Sequence, residues 1–372
     1  MIAGMRHIPS STRRAAIAAI VLGIGGMGSP ARAQQPAPEI RFDASTDFLK
    51  LPPNMYLGEV AGVTIDARKH LYVFSRTGSR STLHGEAASQ LFEFGPDGAF
   101  IREIGKDLYG FAFAHTVRID GSGNLWATDE GTNMIIEFNP SGKVLMVLGR
   151  RAEAVEAPTE TAPGTIPRPG WGSFNRPTDV TWNAAGDIFV ADGYNNSRVV
   201  KIDKTGRWVK TWGERGSGQG QFNILHSIAS DDHGNVYVAD RTNRRIQVFD
   251  SDGNFQRQFT IDVPFDKTPN VMLGTMPGPN SNPLAVSGAP WAICITPGPT
   301  QYIYTSDSFP GRIYKLTLDG KLVGMLGRVG RQPKQFGWIH QIACPSENEL
   351  YVAEILNWRV QKLTLHPAKV GP

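Results

Sequence analysis

Polar and apolar positions alternate in short runs along the chain, and the runs repeat. The clearest copy spans residues 222–259, FNILHSIASDDHGNVYVADRTNRRIQVFDSDGNFQRQF. Within it, residues 227–230, 236–239, 245–249 and 255–259 are rich in β-branched, aromatic and small apolar residues. Between them lie Asp231-Asp232-His233-Gly234-Asn235 and Ser251-Asp252-Gly253-Asn254, the residue types of tight turns. This spacing predicts a meander of four strands. A single four-stranded sheet cannot bury both faces, so its repetition predicts a ring of sheets.

Further copies start near Ala61, His115, Thr178, Trp291 and His340. The sixth copy lacks a fourth strand, and a run at 40–42 is expected to supply it, which removes an exposed sheet edge. The expected fold is all-β: a six-bladed β-propeller over residues 40–372, with four antiparallel strands per blade and almost no helix. Segments 77–89, 151–172 and 263–290 break the pattern and are expected to be loops.

The beginning of the chain differs. Arg6, Arg13 and Arg14 precede an apolar stretch at 15–27, and Ala31-Arg32-Ala33 has the spacing of a cleavage site. Residues 1–33 therefore read as a signal peptide and 34–39 as a linker, which predicts an exported protein, periplasmic or secreted. The apolar stretch is too short and too rich in glycine for a membrane span. This leader carries four arginines and no acid, and removing those four from 38 basic residues leaves 34, equal to the 34 acids. The mature chain is thus formally neutral and carries no electrostatic signature of nucleic-acid binding. Export would permit disulfides. Cys294 and Cys344 fall in the first strands of neighbouring copies, but nothing in the sequence sets their distance, so a bridge stays open as an alternative while two buried free thiols are the expectation.

The candidate chemistry comes from register. His115, His226 and His340 each precede the acidic residue ending the next strand, Asp129, Asp240 and Glu354, by 14 positions. They occupy copies two, four and six, while Ala61, Thr178 and, allowing one inserted residue, Trp291 or a neighbour hold the matching places in the others. Alternate blades of such a ring are related by about a third of a turn, so the three imidazoles should face one another at one channel mouth. Three neutral imidazoles with open positions suit zinc. A single histidine at a strand start is ordinarily a polar residue satisfied by a carbonyl; the shared register favours a metal site. His7, His70, His84, His233 and His366 lie outside it and are expected to be solvated or removed. Arg76 and Arg241 lie 15 positions beyond Ala61 and His226, and Tyr194 lies 16 beyond Thr178. All three should ring the same mouth, the arginines to hold a carboxylate and the tyrosine to take a proton. The recurring Asp129, Asp192, Asp240, Asp307 and Glu354 are expected to serve turns or blade contacts.

The segments from Gly213 to Phe222 and from Gly327 to Phe336 end in Phe and enter another strand, which excludes a phosphate loop. They resemble the inter-blade turn of NHL repeats, as do Val190-Ala191-Asp192 with Asn195 and Arg198, and Val238-Ala239-Asp240 with Asn243 and Arg245. More narrowly, FAFAHTVRID, RPTDV with VADGYNNSRVV, LHSIA with VADRTNRRIQVF, and His340 resemble the peptidyl-α-hydroxyglycine α-amidating lyases. That resemblance implies a metal-dependent carbon–nitrogen lyase that splits a C-terminal α-hydroxyglycine into an amide and glyoxylate. It implies zinc on His115, His226 and His340, substrate contacts from Arg76 and Arg241, and Tyr194 as base. The partner would be a small molecule or peptide end bearing a carboxylate. It further implies calcium on the carbonyls of Val63 and Val117 beside an aspartate, where this chain has Gln341, and it places Trp338 where the family has methionine. Two alternatives remain at this stage: a non-catalytic NHL propeller holding a partner, and a metal-dependent hydrolase of lactonase type. The oligomeric state is not encoded in any pattern found.

Overall fold

In the computed structural model, residues 38–77, 89–151, 172–265 and 287–366 are described. The expected leader, and most of the three expected loops, lie outside them. Among the described residues the regular secondary structure is β: six four-stranded antiparallel blades and one short parallel pair, Arg328–Val329 with Gln335–Phe336. Blade 1 comprises Glu59–Ile65, Leu71–Arg76, Ser89–Phe94 and Phe100–Ile104. Blade 2 comprises Ala114–Ile119, Leu125–Asp129, Met134–Phe138 and Val144–Gly149. Blade 3 runs Asp179–Trp182, Ile188–Asp192, Arg198–Ile202 and Trp208–Trp212. Blade 4 runs Leu225–Ser230, Val236–Asp240, Arg245–Phe249 and Phe255–Phe259. Blade 5 runs Ile293–Ile295, Tyr302–Ser306, Ile313–Thr317 and Leu322–Leu326.

Blade 6 takes three strands from the end of the chain, Ile339–Ser346, Glu349–Glu354 and Arg359–His366, and its fourth from the other end, Arg41–Ser45. Arg41 pairs with His366 and Ser45 with Lys362. The expected linker already engages blade 5 before this, since Glu39 bridges Met325.

The strand alternation is satisfied between blades. Second strands such as Val236–Asp240 are buried throughout, whereas the outer strand Phe255–Phe259 alternates partly buried and exposed. Six apolar clusters form, one at each blade–blade boundary. The boundary turns depend on glycine at one recurring place. Gly213 has φ 95° and Gly327 has φ 81°. A Cβ at either would lie 2.4 or 2.2 Å from the ring of Phe222 or Phe336, the aromatic that enters the next blade. The recurring acids tie the turns as expected. Asp240 accepts from the Asn223 amide, Asn243 and Arg245, and Glu354 from the Gly337 amide, Asn357 and Arg359.

Two expectations are corrected. Cys294 and Cys344 are joined by a disulfide, with Cα atoms 6.0 Å apart. The first strands of neighbouring blades run side by side at this point, a proximity that sequence spacing of 50 residues conceals. His70 is more than a solvated turn residue, because its Nδ1 lies 2.8 Å from the buried carboxylate of Glu93.

Candidate metal centre at the channel mouth

His115, His226 and His340 meet. Each sits at the start of the innermost strand of its blade, and their ring centroids are 4.6, 4.8 and 4.9 Å apart. Their exposures are 0, 1 and 3%. The intervening blades hold them. His115 Nδ1 lies 2.6 Å from Thr178 O, His226 Nδ1 2.7 Å from Trp291 O, and His340 Nδ1 2.7 Å from Ala61 O. The register positions that carry no histidine thus contribute the carbonyls that orient one. A carbonyl can only accept, so each Nδ1 carries the proton and each Nε2 presents a lone pair. His115 Nε2 and His226 Nε2 are buried without a hydrogen-bond partner. The ligand atoms of the three residues lie within 4.8 Å of one another. Burial pulls all three imidazoles well below their ordinary pKa, with the positive charge of Arg241 adding to it at each and that of Arg76 at His115 and His340, so they are neutral. Neutral rings with locked tautomers and orphaned lone pairs are the donor set of a nitrogen-preferring divalent ion.

The expected mouth residues are present. The Tyr194 ring is 5.6 Å from that of His115 and 6.0 Å from that of His226. Burial raises its pKa, with the Glu130 carboxylate adding to the rise while Arg241 and Arg76 oppose it. Arg241 is only 2% exposed, and its guanidinium lies 4.2 Å from the Trp291 ring and 5.5 Å from that of Tyr194. Its Nε and Nη1 have no partner. Arg76 is more committed: its Nε donates to Ala114 O at 2.7 Å, its Nη1 to Glu59 at 3.2 Å, and it stacks on Phe113. Trp338 packs against Trp291 with centroids 5.0 Å apart and forms part of the wall.

Val63 and Val117 do come together, through Gln341. Its Oε1 accepts from both of their amides at 3.1 Å, and its Nε2 donates to Val117 O at 2.8 Å. The carboxamide occupies the place between blades 1, 2 and 6, engages the Val117 carbonyl and brings no charge. These residues do not fit a calcium ion.

Sequence reasoning missed Glu130 and Arg176. Glu130 is 2% exposed, and its Oε2 lies 3.8 Å from His115 Nε2. Arg176 binds Glu130 Oε1 through Nε at 2.7 Å and through Nη2, and lies 4.7 Å from the Tyr194 ring. The signal was available: Glu130 lies 15 positions after His115, the offset that singles out Arg241 after His226.

The fold is a six-bladed β-propeller, and two of its blades match a known repeat. The NHL repeat profile matches residues 174–202 and 222–249, most of blades 3 and 4. Among solved structures, one titled "Streptogramin B lyase structure" has TM-score 0.55 at 13% identity, covering 87% of this chain and 98% of that one, a likeness of fold alone. Sequence relatives are more specific. "Peptidyl-glycine alpha-amidating monooxygenase" of Mus musculus is 27% identical over 359 residues, covering 90% of this chain and 33% of that protein. "Peptidyl-alpha-hydroxyglycine alpha-amidating lyase 1" of Drosophila melanogaster is 27% identical over 341 residues, covering 83% and 57%. The chain spans about a third of the mouse relative's length. It is a six-bladed propeller with NHL repeats in blades 3 and 4 and with relatives named as peptidyl-α-hydroxyglycine α-amidating lyases.

Proposed function

We propose that the protein is a zinc-dependent carbon–nitrogen lyase similar to the amidating lyases. Its substrate would carry a terminal α-hydroxyglycine, released as an amide and glyoxylate. The observation that carries the reading is the set of three buried imidazoles with Nδ1 fixed by carbonyls and Nε2 converging. A zinc ion held by His115, His226 and His340 would supply Lewis-acid polarisation and a positive charge beside Tyr194.

The remaining groups divide the reaction. Arg241, with unpartnered Nε and Nη1 in a buried pocket, binds the substrate carboxylate. Arg76, held by Glu59 and Ala114 O, adds positive charge at the rim. Tyr194 removes the proton of the substrate hydroxyl. The carbon–oxygen bond becomes the aldehyde of glyoxylate, the carbon–nitrogen bond breaks with its electron pair passing to nitrogen, and the amide takes up a proton. Burial keeps the Tyr194 phenol protonated in the metal-free pocket, so this role requires the added positive charge. Trp291, packed on His226 and Trp338, lines the same space with apolar surface.

The test is metal analysis followed by turnover. Mature protein should bind one zinc, and an α-hydroxyglycine peptide should release glyoxylate. Tyr194→Phe should retain the metal and lose about 10²- to 10⁴-fold in kcat. Protein that takes up no metal after zinc loading would leave a binding propeller; zinc uptake without glyoxylate release would reject the substrate and keep the centre.

A further inference from the structure

Glu130 directly follows the second strand of blade 2, with its amide donating to Phe113 O at 3.0 Å. Its side chain turns into the mouth and is almost fully buried. Arg176 reaches it from the approach to blade 3. That residue has φ 60°, and its amide is held by Asn133 at 2.7 Å, so the backbone is fixed in the left-handed region to aim the guanidinium. Arg176 takes Oε1 through two nitrogens. Oε2 is then turned towards His115 Nε2, 3.8 Å away.

This arrangement is electrostatically incomplete. The His115 Nδ1 proton is committed to Thr178 O, so Nε2 offers a lone pair. A carboxylate oxygen also offers only lone pairs. Two acceptors face one another across a gap too long for a hydrogen bond. A cation between them resolves the conflict. Metal–nitrogen and metal–oxygen bonds of about 2.0–2.2 Å allow two donors on one ion to lie up to roughly 4.3 Å apart, so the gap admits a shared ion.

We propose that Glu130 is the fourth protein group of the metal centre, a carboxylate donor held in place by Arg176. The inference rests on the reading of the three histidines as a metal site and assigns it a His₃–carboxylate donor set. The added negative charge should tighten binding of any divalent ion and favour coordination numbers above four, because an open position is still required for a substrate.

The experiment compares wild-type protein, Glu130→Gln, Arg176→Gln and His226→Ala. Zinc affinity is measured by competition with a chromophoric chelator, and the visible spectrum of the cobalt(II)-loaded proteins reports the donor set. Folding is checked by circular dichroism. Glu130→Gln is expected to weaken zinc by about 10- to 100-fold and to change the cobalt bands. Arg176→Gln, which keeps the carboxylate, should weaken zinc several-fold less. If Glu130→Gln does not fold, Glu130→Asp replaces it, since it keeps the charge, withdraws the oxygen by one methylene and should also alter the bands. Unchanged affinity and spectrum in the Glu130 variant would overturn the proposal while His226→Ala still loses metal. Equal weakening in the Glu130 and Arg176 variants with an unchanged cobalt spectrum would also overturn it, reducing the pair to a prop for the pocket wall. Wild-type protein that takes up no ion would end the metal reading itself, and this proposal with it.

Discussion

Acid should weaken the metal-free fold through the three central histidines, and by a predictable amount. All three are buried and pulled well below the ordinary histidine pKa. In the unfolded chain each takes a proton below pH about 6.5. In the folded chain none does, so the unfolded state binds more protons in acid and stability falls as pH drops through that window. At pH 5.5 the cost is about 1.4 kcal/mol for each histidine and about 4 kcal/mol for three. Buried carboxylates act in the opposite direction. Burial raises the pKa of Asp129, Asp192 and Asp307, so they favour the folded state as acid is added. A comparison with His226→Ala removes that background. Urea unfolding of metal-free protein at pH 7.5 and 5.5 should show wild type losing about 1.4 kcal/mol more than the variant. Equal losses would refute the argument, since they would mean that His226 is charged in the folded state or accessible to protons there.

Three other outcomes follow from the same geometry. Replacing Cys294 and Cys344 together by Ser should lower stability by about 4 kcal/mol on the chain-entropy account of a 50-residue separation, read from urea midpoints; an unchanged midpoint would show the bridge to be dispensable. Gln341→Leu should cost about 3 kcal/mol or more, because it strands the amides of Val63 and Val117 and the Val117 carbonyl. Gln341→Asp should make thermal stability rise with added calcium while wild type does not respond, and a calcium response in wild type would contradict the assignment of that place to the carboxamide.

The propeller was legible because its signal is local. Alternating strands between Asp/Gly/Asn turns repeat at nearly constant length, and the deficit of one strand in the sixth copy pointed to the start of the chain. The three histidines were legible because a ring converts equal register into convergence. What register could not convey was partnership between side chains. Glu130 shares Arg241's offset but carries the opposite charge, so a search for carboxylate-binding arginines passes it by. Its partner Arg176 precedes the first strand of blade 3, where no register applies. The disulfide was hidden for a related reason: the first strands of blades 5 and 6 are separated by a whole meander and adjoin only once the ring is curved. The carbonyls of Ala61, Thr178 and Trp291 were visible as positions, but their use depends on backbone direction, which residue identity does not encode.

The strand that joins the two ends of the ring has a consequence for how a newly made chain matures. Asp43 and His366 meet at a sequence separation of 323. On a ribosome, residues 41–45 therefore wait unpaired until nearly the whole chain has been synthesised, while blades 1 to 5 can form in order as they emerge. Closing so large a loop costs about 3 kcal/mol more than closing one of roughly ten residues, and the search is correspondingly slow. Phe42, buried in the finished ring, is exposed to water and to other chains for that interval. Maturation thus ends with a single late joining event, and the interval before it is when a chaperone has most to protect.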